Sequence, residues 1–344
     1  MRRPRLGAAV GLAVTVLLLA WVLRDVSPAG VWSEVRRAHA GWLLAAVCLA
    51  TFSFVLRAAR WGVLLEPVHA GTRFGARFGS VCIGFAVNNL MPARLGEITR
   101  AYALTRREPV PLGASIASLV VERVLDGVVL AFFLFGTISL PDFPLGEGTA
   151  ADIVRRTANV GAVAFGAGLV ALWALGRDPE RAAELLGRTL LRVVPDRFRE
   201  GAQRGTGTFL AGLGALSRPG LFARALAWSL AVWLDLSASI WAGLVAFDIL
   251  APGPGGAVFL QSVMAFAVAA PSSPGFFGVF EAAARLGLGL WDVEAVRIVS
   301  FATSYHILTF IPVTVLGLWF LRRLGLSFGE IGRSGPAPAG EPGA

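Results

Sequence analysis

Three polar clusters interrupt otherwise apolar sequence, and each has residue types and spacing suited to chemistry. The first, Asn88-Asn89-Leu-Met-Pro92-Ala-Arg94-Leu-Gly96-Glu97-Ile-Thr-Arg100, gathers two amides, two guanidiniums and a carboxylate around a proline. A helix restarting after Pro92 would present free backbone N–H groups and a positive dipole end, and Arg94 or Arg100 would complete a phosphate site. The plainer alternative is a Glu97–Arg100 pair at i, i+3. The second cluster, Glu122-Arg123-Val-Leu-Asp126, sits in the middle of a long apolar run. Uncompensated charge at that depth costs at least ~2.5–3.5 kcal/mol per residue, so these groups must face the bundle interior and pair there. The third, Pro271-Ser272-Ser273-Pro274-Gly275-Phe-Phe-Gly278-Val-Phe-Glu281, offers hydroxyls and open carbonyls to a headgroup. Its plain alternative is an intrahelical Glu281–Arg285 pair with glycine packing. Asp235 and His306 are further ionisable groups in apolar surroundings, and together they are candidates for a proton relay. A lone histidine in a membrane helix also serves as a hydrogen-bonded packing residue.

The elements that position these clusters are helices in a bilayer. With 56% hydrophobic and 15% charged residues and a mean hydropathy of +0.68, the 344-residue chain lies outside the range of soluble domains. Six apolar runs, 6–23, 41–59, 112–140, 158–175, 221–248 and 296–321, are each able to span a hydrocarbon core of about 30 Å. The first follows Met-Arg-Arg-Pro-Arg without a small-x-small cleavage site and reads as a retained signal anchor. Cys48 and Cys82 have no metal-ligand spacing and read as packing residues. All 31 basic residues are arginine, which points to GC-rich coding and a bacterial inner membrane. They cluster beside apolar runs, a pattern that excludes a nucleic-acid face and instead sets orientation and attracts anionic lipid.

Two further apolar stretches, 76–104 and 257–290, are broken at Pro92 and at Pro271 to Gly275. If both are re-entrant hairpins, the cytoplasmic side carries 20 arginines against 6 outside; if both cross, the split is 12 to 14. The positive-inside rule favours hairpins, with both termini cytoplasmic. Non-helical backbone at membrane depth must line a cavity or be buried in protein. The expected fold is therefore all-α: about six full spans plus two re-entrant broken-helix hairpins. An anchor and outer loop occupy 1–40, a transmembrane domain 41–325 with an arginine-rich interfacial segment at 177–220, and a disordered tail 326–344.

The two breaks share a pattern, since Pro92 and Gly96 match Pro274 and Gly278 in spacing and a carboxylate follows each. Repeat one covers about 76–140 and repeat two about 257–321, and the hairpin topology makes them inverted. Inverted repeats with interrupted helices point to alternating access around a site at the repeat interface.

No Gly-rich phosphate loop, His/Cys metal cluster or His-Glu-x-x-His motif is present, so neither an enzyme, a metal nor a cofactor is expected. The three motifs together resemble the flippase-like family that shares the transmembrane region of lysylphosphatidylglycerol synthases, over about residues 40–320. That resemblance implies movement of aminoacylated phospholipid between leaflets, with aminoacyl transfer left to a separate lipid-modifying enzyme. Members commonly carry Arg in the last helix where His306 stands here. The implied partners are membrane lipids with anionic headgroups, and the implied function is translocation of a polar lipid or lipid-linked headgroup. A membrane-embedded transferase, or an accessory factor in lipid-linked sugar assembly, is the alternative.

Overall fold

The computed structural model describes residues 3–91, 95–144, 146, 149–178, 180–184, 196–269 and 274–325, and these are helical and strandless. Pro92, Arg94, Ser272, Ser273, the tail and part of the arginine-rich segment lie outside them. In chain order the helices are α1 (Arg3–Leu23), α2 (Pro28–Arg37), α3 (Ala40–Leu65), α4 (Phe74–Leu90), α5 (Gly96–Thr105) and α6 (Leu112–Ile138). They continue with α7 (Thr149–Arg177), α8 (Asp196–Gly212), α9 (Pro219–Ala246), α10 (Gly253–Ala269), α11 (Val279–Leu288) and α12 (Ala295–Arg323). All six expected runs are helices. By length and apolar composition α3, α7, α9 and α12 can each cross a bilayer unaided. The charged cluster sits inside the 27-residue α6, and α1 meets α2 at a 76° bend.

One boundary needs correction. The apolar run ending at 59 continues as helix to Leu65, and Arg57 and Arg60, read as cytoplasmic loop residues, are buried in it. Removing these two from the expected cytoplasmic 20 leaves 18 against 6. The helix persists because each guanidinium finds its environment inside the bundle rather than in water.

At both breaks the chain doubles back instead of kinking onward. In the first hairpin, Gly84 on α4 lies against Gly96 and Arg100 on α5, so the chain reverses between these two helices. In the second, Gly287 on α11 lies against Leu260 on α10, placing the reversal near 274. Gly275 (φ +70°), Phe276 (φ +62°) and Gly278 (φ +84°) make the second turn, using left-handed backbone that suits glycine. The first turn is clipped by Asn88, whose Oδ1 accepts the Gly96 N–H at 2.8 Å. A Cβ at Gly96 would collide with the Gly84 carbonyl and the Asn88 side chain. Gly96→Ala is therefore expected to destabilise the protein by about 1–3 kcal/mol through overpacking. Gly166→Ala, at a site with open space around it, should leave the detergent melting midpoint unchanged or raise it slightly.

The two halves match element for element. Helices of 17, 10 and 27 residues (α4, α5, α6) correspond to helices of 17, 10 and 29 (α10, α11, α12). The long helix preceding each set, α3 or α9, packs antiparallel against the other. Ser239 reaches the Ala46 carbonyl at 2.7 Å, Arg60 reaches Ser229 at 2.9 Å, and Arg224 pairs with Glu66 at 2.9 Å. A helix antiparallel to its own counterpart is what an inverted two-fold relation produces. The exchange is reciprocal: α4 packs on α12 and α10 packs on α6.

Candidate functional site

A cavity of about 360 Å³ lies between the halves, walled by α3, α4, α5 and α6 from one and by α9 to α12 from the other. Among its polar lining are Arg57, Asn88, Asn89, Glu97, Arg123, Gln261 and His306. Phe54, Phe85, Trp233, Phe280 and Phe310 supply aromatic walls.

Behind the α6 wall stands a buried ion network. Glu122, fully buried, accepts a two-pronged contact from Arg100 at 2.7 and 3.0 Å and is approached by Arg60 at 3.1 Å and Arg123 at 2.5 Å. Asp126 pairs with Arg60 and with Arg123 (3.3 Å) and accepts the Trp233 indole N–H at 2.8 Å. Arg100 also lies over the Trp61 ring, 4.1 Å from its centroid, and the Trp61 N–H donates to Ser118 at 2.9 Å. Each carboxylate is thus held by several charge-assisted bonds, the condition under which buried charge is tolerated.

This arrangement revises several expected roles. Arg100 was expected to hold phosphate or to pair with Glu97; it pairs with Glu122 and is 3% exposed. Glu122 and Asp126 were expected to receive substrate, but their oxygens are occupied by guanidiniums and they are absent from the cavity wall. The cause is the approach of α3, which carries Arg60 to α6. Arg123 does reach the cavity, with its side chain 43% exposed while another face of the guanidinium stays in the network. Asn88 and Glu97 line the wall, joined by an Asn88 Nδ2 to Glu97 Oε2 bond of 3.3 Å. Asn89 lines it too and donates to Thr314 on α12 at 2.8 Å, tying the first hairpin to the second half.

In the second half, Glu281 accepts the Gly278 N–H at 2.7 Å and pairs with His306 Nδ1 at 2.8 Å, closing the hairpin turn onto α12. It is 2% exposed and off the cavity wall. His306 lies on the wall, stacked on Phe277 and Phe280 with centroids 4.6 and 4.3 Å away. The expected Glu281–Arg285 pair does not form. Arg285 reaches instead to α1, bonding the Trp21 and Val22 carbonyls and pairing with Asp25 at 2.8 Å. The Asp25 carboxyl, outside the spans, is held below the usual carboxylate range by its bonds from Arg24 and Arg285. Asp235 is also off the wall, and its Oδ2 has no hydrogen-bond partner, so the Asp235–His306 relay is not assembled as a contact. Pro274 opens the 3₁₀ turn Pro274–Phe276, whereas the expected roles of Pro92, Arg94, Ser272 and Ser273 fall on residues that are not described.

Arg57 is the site residue that sequence reasoning missed. It is 5% exposed, lines the cavity, and lies 5.1 Å from the Phe85 centroid and 5.3 Å from that of Trp233. Its Nε and Nη1 have no hydrogen-bond partner, and its nearest carboxylate, Asp126, is 4.0 Å away. The available signal was spacing: Arg57 and Arg60, three apart, extend an apolar run on one helical face.

Comparison with known proteins bears on these features. The sequence model described as the lysylphosphatidylglycerol synthase TM region matches residues 8–317. A Haloferax volcanii protein named glycosyltransferase AglD is 31% identical over 312 residues, covering 82% of this chain and 49% of that relative. UPF0104 membrane protein MJ1595 of Methanocaldococcus jannaschii is 33% identical over 94 residues, covering 27% of this chain and 28% of its own. A UPF0104 membrane protein of Methanothermobacter thermautotrophicus is 26% identical over 201 residues, covering 57% of each chain. In every case the match takes in less than two thirds of the relative's length. These matches overturn the expectation that the chain is no enzyme, because a relative similar across most of it bears a glycosyltransferase name and the family is named for a synthase. The absent motifs behind that expectation mark soluble nucleotide and metal sites, and they do not report on a buried arginine–carboxylate site inside a membrane. With its match over residues 8–317 and its bundle of long apolar helices, the chain is a multi-pass membrane protein of the lysylphosphatidylglycerol synthase transmembrane-region family.

Proposed function

We propose that the cavity takes the phosphate headgroup of a polar membrane lipid and passes it between leaflets as the two hairpins open in turn. The observation that carries this reading is Arg57, a buried guanidinium whose Nε and Nη1 lack hydrogen-bond partners, on the wall of a cavity between the two halves. A phosphate would supply the acceptors that Arg57 lacks, with Arg123 as the second cation. The inverted pair supplies two related ways of opening around one site.

The test uses the contact between halves. Asn89→Cys with Thr314→Cys, in a chain with Cys48 and Cys82 replaced by serine, should form a disulfide that ties α4 to α12. In proteoliposomes, transbilayer movement of a fluorescent phosphate-bearing lipid should fall to the protein-free rate on oxidation and recover on reduction. Wild-type vesicles moving lipid no faster than protein-free ones would sink the reading.

A second reading, a transferase or accessory role in lipid-linked sugar assembly, draws on the relative named as a glycosyltransferase. It predicts a new glycolipid when the chain is incubated with glycosyl donor and acceptor lipid. Unconsumed donor would count against it.

A further inference from the structure

We infer that the phosphate headgroup enters the cavity together with a proton, which Asp235 takes up as the ligand replaces its carboxylate as the counter-ion of Arg57. This rests on the phosphate-headgroup reading above and adds the ion that accompanies the ligand.

Asp235 stands near the middle of α9, an apolar 28-residue helix, where an ionised carboxylate is costly unless it is paired. Its Oδ2 is buried and has no hydrogen-bond partner. On either side of it Trp233 and Leu236 line the cavity, and the Arg57 guanidinium, 5.3 Å from the Trp233 centroid, is within Coulombic range of Asp235. Asp126 is nearer to Arg57, at 4.0 Å, yet it is already held by Arg60, Arg123 and the Trp233 N–H. Among the described residues, Asp235 is therefore the carboxylate whose charge is free to answer Arg57.

The other charged and titratable groups packed around α9 are committed elsewhere. From α3, Arg60 serves Asp126 and Glu122; from α6, Glu122 is filled by Arg100, and Arg123 spans Glu122 and Asp126. From α12, the Tyr305 hydroxyl, within Coulombic range of Asp235, bonds Ser239 at 2.8 Å, and His306 pairs with Glu281. Helix α10 carries no titratable side chain. On α9 itself, Arg224 pairs with Glu66 near the helix start. None of these gives the Asp235 Oδ2 a hydrogen bond.

A phosphodiester at the Nε and Nη1 of Arg57 brings a second anion into the field of one guanidinium. Two anions sharing a low-dielectric site cannot both stay ionised, and the weaker acid takes the proton. That acid is the Asp235 carboxyl, which gains one proton from solution while no other bond is made or broken. Neutralised, it also sits in the apolar bundle at lower cost. Headgroup and proton then move as one negative and one positive charge, so the step is electroneutral and responds to a proton gradient.

The test is calorimetric titration of the purified full chain in detergent with short-chain phosphatidylglycerol at about pH 8, above the ordinary carboxylate range, in buffers of different ionisation enthalpy. About one proton should be taken up per lipid bound, and affinity should fall about 10-fold per unit as pH rises. Diacylglycerol of the same chain length, without phosphate, should show no saturable binding; if it binds as well as phosphatidylglycerol, the phosphate reading itself fails. Phosphatidylglycerol that binds with no proton uptake and a flat pH profile overturns the inference and leaves that reading intact. Asp235→Asn should bind without proton uptake and with an affinity independent of pH, whereas Glu97→Gln, whatever its affinity, should keep the uptake. An infrared difference spectrum of the wild type gives a readout that needs no variant. On binding, the C=O stretch of a newly protonated carboxyl should appear, a signature histidine does not give. Absence of that band, its survival in Asp235→Asn, or its loss in Glu97→Gln would place the proton elsewhere and overturn the inference.

Discussion

Arg60→Ala is expected to destabilise the folded protein by about 3–5 kcal/mol, because it strips one partner from a buried pair and leaves charge uncompensated. Arg60 is 0% exposed and serves Asp126, Glu122 and Ser229 at once. Without it Asp126 keeps Arg123 at 3.3 Å, the more distant Arg57 and the Trp233 N–H, while α3 loses one of its three polar ties to α9, the bond to Ser229. Arg60→Lys should rescue little, since one ammonium cannot reproduce the fork that reaches both carboxylates. The measurements are the yield of monodisperse protein in detergent and its melting midpoint. A wild-type midpoint for Arg60→Ala would mean that the network contributes nothing to holding α3, α6 and α9 together.

One helical turn earlier, Arg57→Ala should behave in the opposite way. Its Nε and Nη1 have no hydrogen-bond partner, so removing the guanidinium breaks no hydrogen bond at them; Asp126 retains Arg60 and Arg123, and Asp235 loses a Coulombic neighbour. What is lost inside the protein is contact with Phe85 and Trp233, and stability should stay within about 1 kcal/mol of wild type. Affinity for a phosphate-bearing lipid should fall about 10²-fold, in line with truncating one side of a buried charged contact. A melting midpoint that drops as far as that of Arg60→Ala would reassign Arg57 to the structural network. Unchanged lipid affinity in a stable variant would remove it from the site. The two residues thus separate fold from ligand on a single helix.

How far the chain could be read from residues alone is clearest around the two hairpins. Pro92 and Gly96, and Pro274 to Gly278, announced reversals because proline cannot continue a helix and glycine permits close approach and left-handed backbone. The doubling back of α5 on α4 and of α11 on α10 and the matched helix lengths agree with that local chemistry. Position in a helix, however, does not reveal a partner on another helix. Glu97–Arg100 and Glu281–Arg285 were paired by local spacing, yet Arg100 goes to Glu122 and Arg285 goes to α1.

What the sequence determined by itself was the solvent and the helical class: an apolar, all-helical bundle for a bilayer. These follow from composition and short-range sterics, which need no long-range information. Only the tertiary structure decided which charges are structural and which are free. Glu122, Asp126, Arg60 and Arg100 pair their charges across α3, α5 and α6, with only the Nε of each arginine lacking a hydrogen bond, while Arg57 is left on the cavity wall. That division depends on which helix faces meet, and in a low-dielectric interior an angstrom of approach separates a hydrogen-bonded ion pair from a guanidinium held 4.0 Å from its nearest carboxylate.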